Sequence, residues 1–334
     1  MKRNSKLLIS VIAIVMIAAL SVGFTACNND GDTLRFTAPQ GTPALAMLRL
    51  SSDNAKIGGK EMEYEVVNPD NIASEMSSGK SDVVIMPVNA GAKLIKQGKD
   101  YKLVSVAVEG SLFMVGKKDG SNTLTMDDIK GKKIACIGQT GVPGLIFRYV
   151  MANNGIEIIL SGTPNENQVL VSYVSAANNA MSELSSGKVD FAVMGEPAVT
   201  QAKIKLSLNA EMNMQTEYSR VNPETNGSNY PQAGLFVRSS LASDKTFMDA
   251  LFKALEDSKN WVVNNPTEVE EFAKQNLYAA AMFPSASLER CAIKCERLDD
   301  GAKAEIIAFL NNVMPKDADL NDIDWESAKD KIFG

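Results

Sequence analysis

From residue 33 onward, short unbroken apolar runs such as Val83–Met86 and Phe191–Met194 alternate with stretches that space apolar residues as a helix does. An unbroken run of that length suits a strand covered on both faces, as in a parallel sheet between helical layers. The pattern predicts strands over Tyr64–Val67, Lys102–Val108, Leu112–Lys117, Lys133–Ile137 and Leu235–Arg238, with helices between them. Such alternation predicts an α/β chain with doubly wound, mostly parallel sheets. From Ser243 the tail reads as helical: Pro266-Thr267-Glu268 opens one segment, and an amphipathic run from Ala302 to Met314 stops at Pro315.

The pattern occurs twice. Residues 74–86 read SEMSSGKSDVVIM and residues 182–194 read SELSSGKVDFAVM, an offset of 108 with eight identities in thirteen positions. In each copy a helix with a periodic apolar face (Ile72, Ala73, Met76; Ala180, Met181, Leu184) ends at Ser-Ser-Gly. Gly79 and Gly187 stand where a left-handed helix stop is wanted. Lys-x-Asp then leads into the apolar strand. A looser pair lies upstream of each copy, FTAPQGTPAL at 36–45 and ACIGQTGVPGL at 135–145. There a strand runs into a turn containing Gln and Gly and then a helix, with Pro43 and Pro143 expected at the first helical position. Two matched pairs in the same order predict two halves of one topology.

The first 27 residues address the chain. Lys2, Arg3 and Lys6 precede an uncharged apolar run from Leu7 to Phe24, closed by Thr25-Ala26-Cys27. That order is a secretory signal and resembles a bacterial lipoprotein signal, in which Cys27 is lipidated and becomes the first residue. Phe24 stands where such signals usually carry leucine, and the run of 18 is long; an uncleaved membrane-spanning helix is the alternative. Residues 28–32 read as a polar tether.

Chemistry narrows the function further. The chain has 334 residues, 45% hydrophobic and 22% charged, and a net charge of −6 without charge runs, which points away from nucleic acid. It contains no histidine, so the commonest general base and metal ligand is missing. Neither a catalytic constellation, a metal set nor a cofactor is expected; no G-x-G-x-x-G opens these helices and there is no P-loop. After Cys27 only Cys136, Cys291 and Cys295 remain, not a disulfide framework. Cys291 and Cys295 are expected to share the buried face of a helix.

Two motifs then point to a family. Asp127-Asp128-Ile129-Lys130-Gly131-Lys132-Lys133-Ile134 resembles a signature of type 2 periplasmic binding proteins. Ser186-Gly187-Lys188-Val189-Asp190-Phe191-Ala192, followed by Gly195-Glu196-Pro197, resembles that of the branch for nitrate, sulfonates, taurine and thiamine precursors. The resemblance implies a two-lobed type 2 periplasmic-binding-protein fold whose sheets are joined by two crossing strands, placed near 112–118 and 232–238. Lobe 1 is then 33–115 with 235–334, and lobe 2 is 116–234. The thiamine-precursor enzymes of yeast type consume an active-site histidine, which this chain lacks.

The function implied is the extracytoplasmic, lipid-anchored, monomeric solute-binding component of an ABC importer, closing its lobes on a small molecule for a permease and ATPase. A ligand-sensing receptor and an enzyme on the same fold are the alternatives. Ligands of open parallel sheets sit beyond the carboxyl ends of the strands. That selects Gln40, Gly41 and Thr42, with Pro87, Val88 and Asn89, in lobe 1. In lobe 2 it selects Gly138, Gln139, Thr140 and Gly141, with Gly195, Glu196 and Pro197. Thr42 reads as a helix N-cap. Glu196 would meet an amine or other donors on the ligand, or else be held by a lysine such as Lys203. Tyr230, and after it Phe113, would line the cleft or pack the hinge. Sulfonates, nitrate-like anions, amine-bearing organics and thiamine precursors all remain open as ligands.

Overall fold

The computed structural model describes residues 33–223, 229–276, 283–314 and 324–334. The expected signal, Cys27 and the 28–32 tether lie outside the described residues. In chain order the strands are β1 (Leu34–Pro39), β2 (Met62–Val67), β3 (Val83–Pro87), β4 (Tyr101–Glu109), β5 (Leu112–Gly116) and β6 (Lys133–Ile137). They continue as β7 (Glu157–Ile159), β8 (Gln168–Val174), β9 (Phe191–Gly195), β10 (Ala210–Asn213), β11 (Pro231–Arg238) and β12 (Ile293–Arg297). The helices that position the site are α1 (Thr42–Ala46), α2 (Ile72–Ser77), α3 (Val88–Lys96), α4 (Val142–Asn153), α5 (Ala177–Ser185), α6 (Ala198–Leu206), α7 (Met214–Val221), α8 (Lys245–Asn264) and α9 (Asp300–Val313).

The strands form two six-stranded sheets, ordered β12-β4-β11-β3-β1-β2 and β10-β5-β9-β6-β8-β7. In the first, β1 pairs in parallel with β2 and β3, and β11 runs antiparallel to β3. In the second, β6 pairs in parallel with β8 and β9, and β5 runs antiparallel to β9. The two copies of the repeat thus fall in different sheets and in equivalent places. This is the two-lobed α/β architecture, and β5 and β11, which run against their neighbours, are the strands by which the chain enters each sheet from the other. The change of sheet falls at Gly110–Ser111 and ahead of Pro231, because β5 lies wholly in the second sheet and β11 wholly in the first. The strands themselves, expected to bridge the lobes, instead follow the bridges.

The repeated residues do the same work twice. Gly79 and Gly187 end α2 and α5 with φ of 72° and 71°. Asp82 accepts from the Arg35 N–H at 2.9 Å through its side chain, and its own N–H donates to the Arg35 carbonyl at 2.8 Å. Asp190 makes the same two bonds to Lys133, both at 2.8 Å. Each aspartate clamps the start of the neighbouring parallel strand, β1 or β6, and so fixes its register. The Asp127–Ile134 motif is equally local: Thr125 and Asp128 form a reciprocal cap on the Met126–Ile129 turn, and Gly131 turns the chain into β6 with φ of 71°.

Three expectations are corrected. α1 and α4 begin at Thr42 and Val142, so Pro43 and Pro143 are second residues and the cap of α1 is Gly41, not Thr42. Gly41 takes that place because φ there is 102°, closed to side chains. The tail is not all helix, since β12 joins the first sheet beside β4. Cys291 therefore lies in a short 3-10 turn and Cys295 in β12, separated by Ala292 in a left-handed conformation with φ of 51° that no helix continues through. Both cysteines are buried, as is Cys136.

Helix α8 buries Phe247, Leu251 and Leu255 in the first sheet's core with Phe36, Ile85 and Leu235. Helix α4 buries Ile146, Phe147 and Val150 over the second sheet, and α9 adds Ile306, Phe309 and Leu310 to the same cluster. Because that cluster also holds Met86 and Phe236 of the first sheet, the apolar core continues from one lobe into the other.

Since a Cβ at Gly187 meets nothing within 4 Å and one at Gly79 meets only the end of Arg238, substitution there costs backbone strain alone. Gly79→Ala and Gly187→Ala should each lower stability by about 1 kcal/mol, and by the same amount, as read from urea unfolding midpoints.

Candidate functional site

The four sequence-selected loops, which follow β1, β3, β6 and β9, meet in pairs across the two sheets. Thr42, freed from capping its own helix, donates its hydroxyl to the Glu196 carbonyl at 2.7 Å. Asn89, in the first turn of α3, donates its amide to the Thr140 carbonyl at 3.1 Å. Thr42 and Asn89 are buried at 2% and 4% exposure, so the first bond is made away from bulk water, whereas the second reaches an exposed residue, Thr140, and is only part-buried. Because the Thr140 carbonyl can only accept, the Asn89 amide nitrogen must face it, and Oδ1 faces away. That oxygen is buried without a hydrogen-bond partner.

The other predicted residues set these contacts. Gly138 turns the chain after β6 with φ of 65°, and a Cβ on Gly144 would sit 2.5 Å from its carbonyl, so the loop lies flat on α4. Gln139 is exposed, and its carbonyl accepts from Arg148. Gly141 caps α4 without a side-chain bond. Gln40 is exposed, its N–H bonding the Val67 carbonyl at 2.9 Å, and Pro87 precedes α3 at its cap.

Glu196 is buried at 4% exposure. Its carboxylate accepts from the Thr200 N–H at 3.0 Å and from the Thr200 hydroxyl at 3.1 Å. Nε of Arg290 stands 2.8 Å from Oε1 as an ion-pair contact, without the alignment of a hydrogen bond. Burial pushes this carboxyl above the usual glutamate range, while the Thr200 N–H and the Arg290 charge pull the other way. Lys203 is engaged elsewhere, 2.8 Å from Glu211. Arg290 bonds the same Glu211 through both terminal nitrogens, at 3.2 and 3.1 Å, and lies 3.9 Å over the Phe113 ring. Burial raises the Glu211 carboxyl, but the bonds from Lys203 and Arg290 outweigh it and hold the group below its ordinary value.

Tyr230 sits in the hinge rather than on the meeting loops. It is 1% exposed, its ring stacks on Phe309 at 5.9 Å and 8°, and its hydroxyl donates to Gln215 at 3.1 Å. Gly110 must be glycine to admit it, since a Cβ there would lie 2.5 Å from the ring. Three residues at the site carry no signal in the sequence. Arg290 and Glu211 lie outside both repeat motifs, and Ser111 is a lone serine between two strands. Ser111 accepts from the Glu196 N–H at 3.0 Å through its carbonyl, donates its N–H to Gln232 at 3.2 Å, and keeps a buried hydroxyl without a partner. Cys291 lies beside Thr42, and burial pushes its thiol up to about 12, far from a reactive thiolate. Among the described residues no three acidic, cysteine or histidine side chains cluster to hold a metal.

A carboxyl raised above its unfolded value of 4.5 gives stability that is full below that value and lost as pH rises through the folded one. The stability advantage of wild type over Glu196→Gln should therefore be larger at about pH 4 than at about pH 8, as read from paired thermal melts.

Comparison with known proteins agrees with this fold. The fold resembles an ABC transporter structure from Parabacteroides distasonis, with 20% identity and a TM-score of 0.67 over 84% of this chain and 91% of that one. It resembles the ligand-binding component of an ABC-type import system from Staphylococcus aureus, with zinc bound, at 13% identity and a TM-score of 0.60 over 90% and 96%. The periplasmic aliphatic sulphonate binding protein SsuA from Escherichia coli aligns at 11% identity and a TM-score of 0.60 over 83% and 85%. At such identities these likenesses speak for the fold. No curated protein sequence matches the chain. The profile described as "NMT1/THI5 like" matches residues 63–269, more than half of the sequence, and the chain belongs to that family.

Proposed function

We propose that the protein is the solute-binding component of an ABC importer, outside the cytoplasm, and that it performs no chemistry on what it binds. The carrying observation is the pair of contacts between opposed strand ends, Thr42 to Glu196 and Asn89 to Thr140. A small solute between these loops touches both lobes at once, binds the closed form better than the open one and shifts the population toward closure. The closed form then docks on a permease coupled to an ATPase. In this reading lobe 1 and lobe 2 are the two sheets with their helices, the chain acts as a monomer, and lipid on Cys27 keeps it at the membrane.

The solute is read by Thr42, Asn89, Thr140, Ser111 and the backbone of the Gly138–Gly141 turn. Asn89 Oδ1 and Ser111 Oγ are buried oxygens without partners, so donors on the solute would relieve a cost of about 1–3 kcal/mol each. Glu196 already holds two donors from Thr200 and the charge of Arg290, which argues against a cationic solute. Two groups at the site are unsuited to catalysis: the Cys291 thiol is held protonated and Glu196 is engaged.

Native mass spectrometry of freshly purified protein should show a small molecule of defined mass on a monomer. Asn89→Ala should lower its occupancy at least tenfold, about 1.4 kcal/mol, with the far-ultraviolet circular dichroism unchanged. A wild type that never carries such a mass, from any growth medium, would overturn the transport reading.

A further inference from the structure

Arg290 comes from the turn before β12, an element of the first sheet, yet every charged or aromatic partner described for it belongs to the second. Glu196 follows β9, Glu211 lies in β10 and Phe113 in β5, and Lys203 on α6 joins through Glu211. The guanidinium is therefore planted in one lobe and spent on three elements of the other. It acts where the strand ends meet, one residue before the Cys291 that lies beside Thr42. By contrast, the contacts of α9 (Phe309 on Tyr218 and Tyr230, Asn312 to Asn222 at 3.2 Å) gather at the hinge.

We propose that Arg290 is a built-in latch that closes the two lobes on each other without any solute, by exchanging water for Glu196, Glu211 and the Phe113 ring. This goes beyond the transport reading and does not depend on it, since every partner is the chain's own. The physical logic turns on Glu196. In the closed form its carboxylate is out of water, where an unpaired charge is costly and Thr200 alone does not offset it. In the open form water solvates it. Arg290 offsets part of that difference in cost, and its two aligned bonds to Glu211 add the fork geometry that lysine lacks. The ring under the guanidinium favours the same pose, at 3.9 Å from the centroid. A latch of this kind stores part of the closure energy in the protein, so a weakly bound solute still meets a partly closed cleft, and its apparent affinity rises with the closed fraction.

The two ends of the latch make separable forecasts. Losing Arg290 strands Glu196 in the closed form, and removing the Glu196 charge as well should undo part of that penalty. The test is small-angle scattering of protein freed of small molecules by unfolding in guanidinium and refolding, with circular dichroism as the check on folding. Wild type should scatter as a mixture rich in the closed form. Arg290→Met should lower the closed-to-open ratio about tenfold, near 1.4 kcal/mol. Arg290→Lys and Glu211→Gln should fall between the two, and Arg290→Met with Glu196→Gln should move back toward wild type. A wild type that is open without solute would overturn the latch, as would an Arg290→Met curve superimposable on wild type or a double variant no more closed than the single one. Should Arg290→Met not fold, Arg290→Lys and Glu211→Gln decide: curves unchanged from wild type overturn the latch, and a shift toward the open form supports it.

Discussion

Parallel strands leave their sheet on one side, and the rest of this molecule depends on that. When neighbouring strands point the same way, each connection must return through a helix, and each strand end opens into a loop beside the start of that helix. Asp82 and Asp190 enforce the arrangement by holding Arg35 near the start of β1 and Lys133 at the start of β6 against the strand that each aspartate precedes. Doubling the unit doubles the row of loops. Joining the halves through β5 and β11, which run against their neighbours, leaves the two rows opposed rather than side by side. The contacts of Thr42 and Asn89 with the second lobe follow from that placement.

Bringing two carboxylates to the meeting of the lobes has an electrostatic cost, and it falls unequally on them. Glu196 sits buried at the carboxyl end of β9, and its carboxyl is raised by burial even with Thr200 and Arg290 beside it. Glu211, less buried and bonded by both Lys203 and Arg290, ends up below its ordinary value. Pairing wins at one carboxylate and desolvation at the other. One arginine shared between them makes the meeting of the lobes a balance between pairing and desolvation.

The family match, the fold likenesses and the repeat describe one object at three scales. The profile covers residues 63–269, a span that holds both copies of the helix–Gly–Lys-x-Asp–strand unit and both changes of sheet. The tail beyond it supplies α9, which packs at the hinge, and Arg290, which reaches across the lobes.

The amino-acid sequence by itself determined the parts whose causes are local. Strand runs, the glycine stops at 79 and 187 and the doubled order of elements each depend on neighbours a few residues away, and all were legible. The candidate loops were legible for the same reason, because a strand end is marked by its own turn. Short strands with mixed faces, β7, β8 and β10, were not, since their partial burial gives no clean period. Only the tertiary structure decided which ends touch, that Tyr230 packs the hinge against Phe309, that Ser111 and Asn89 keep free buried oxygens, and that Glu196 answers to Arg290 rather than Lys203. Those are pairings between residues far apart in the chain. Nothing in the spacing of a charge or a serine states what will stand opposite it once two sheets have closed.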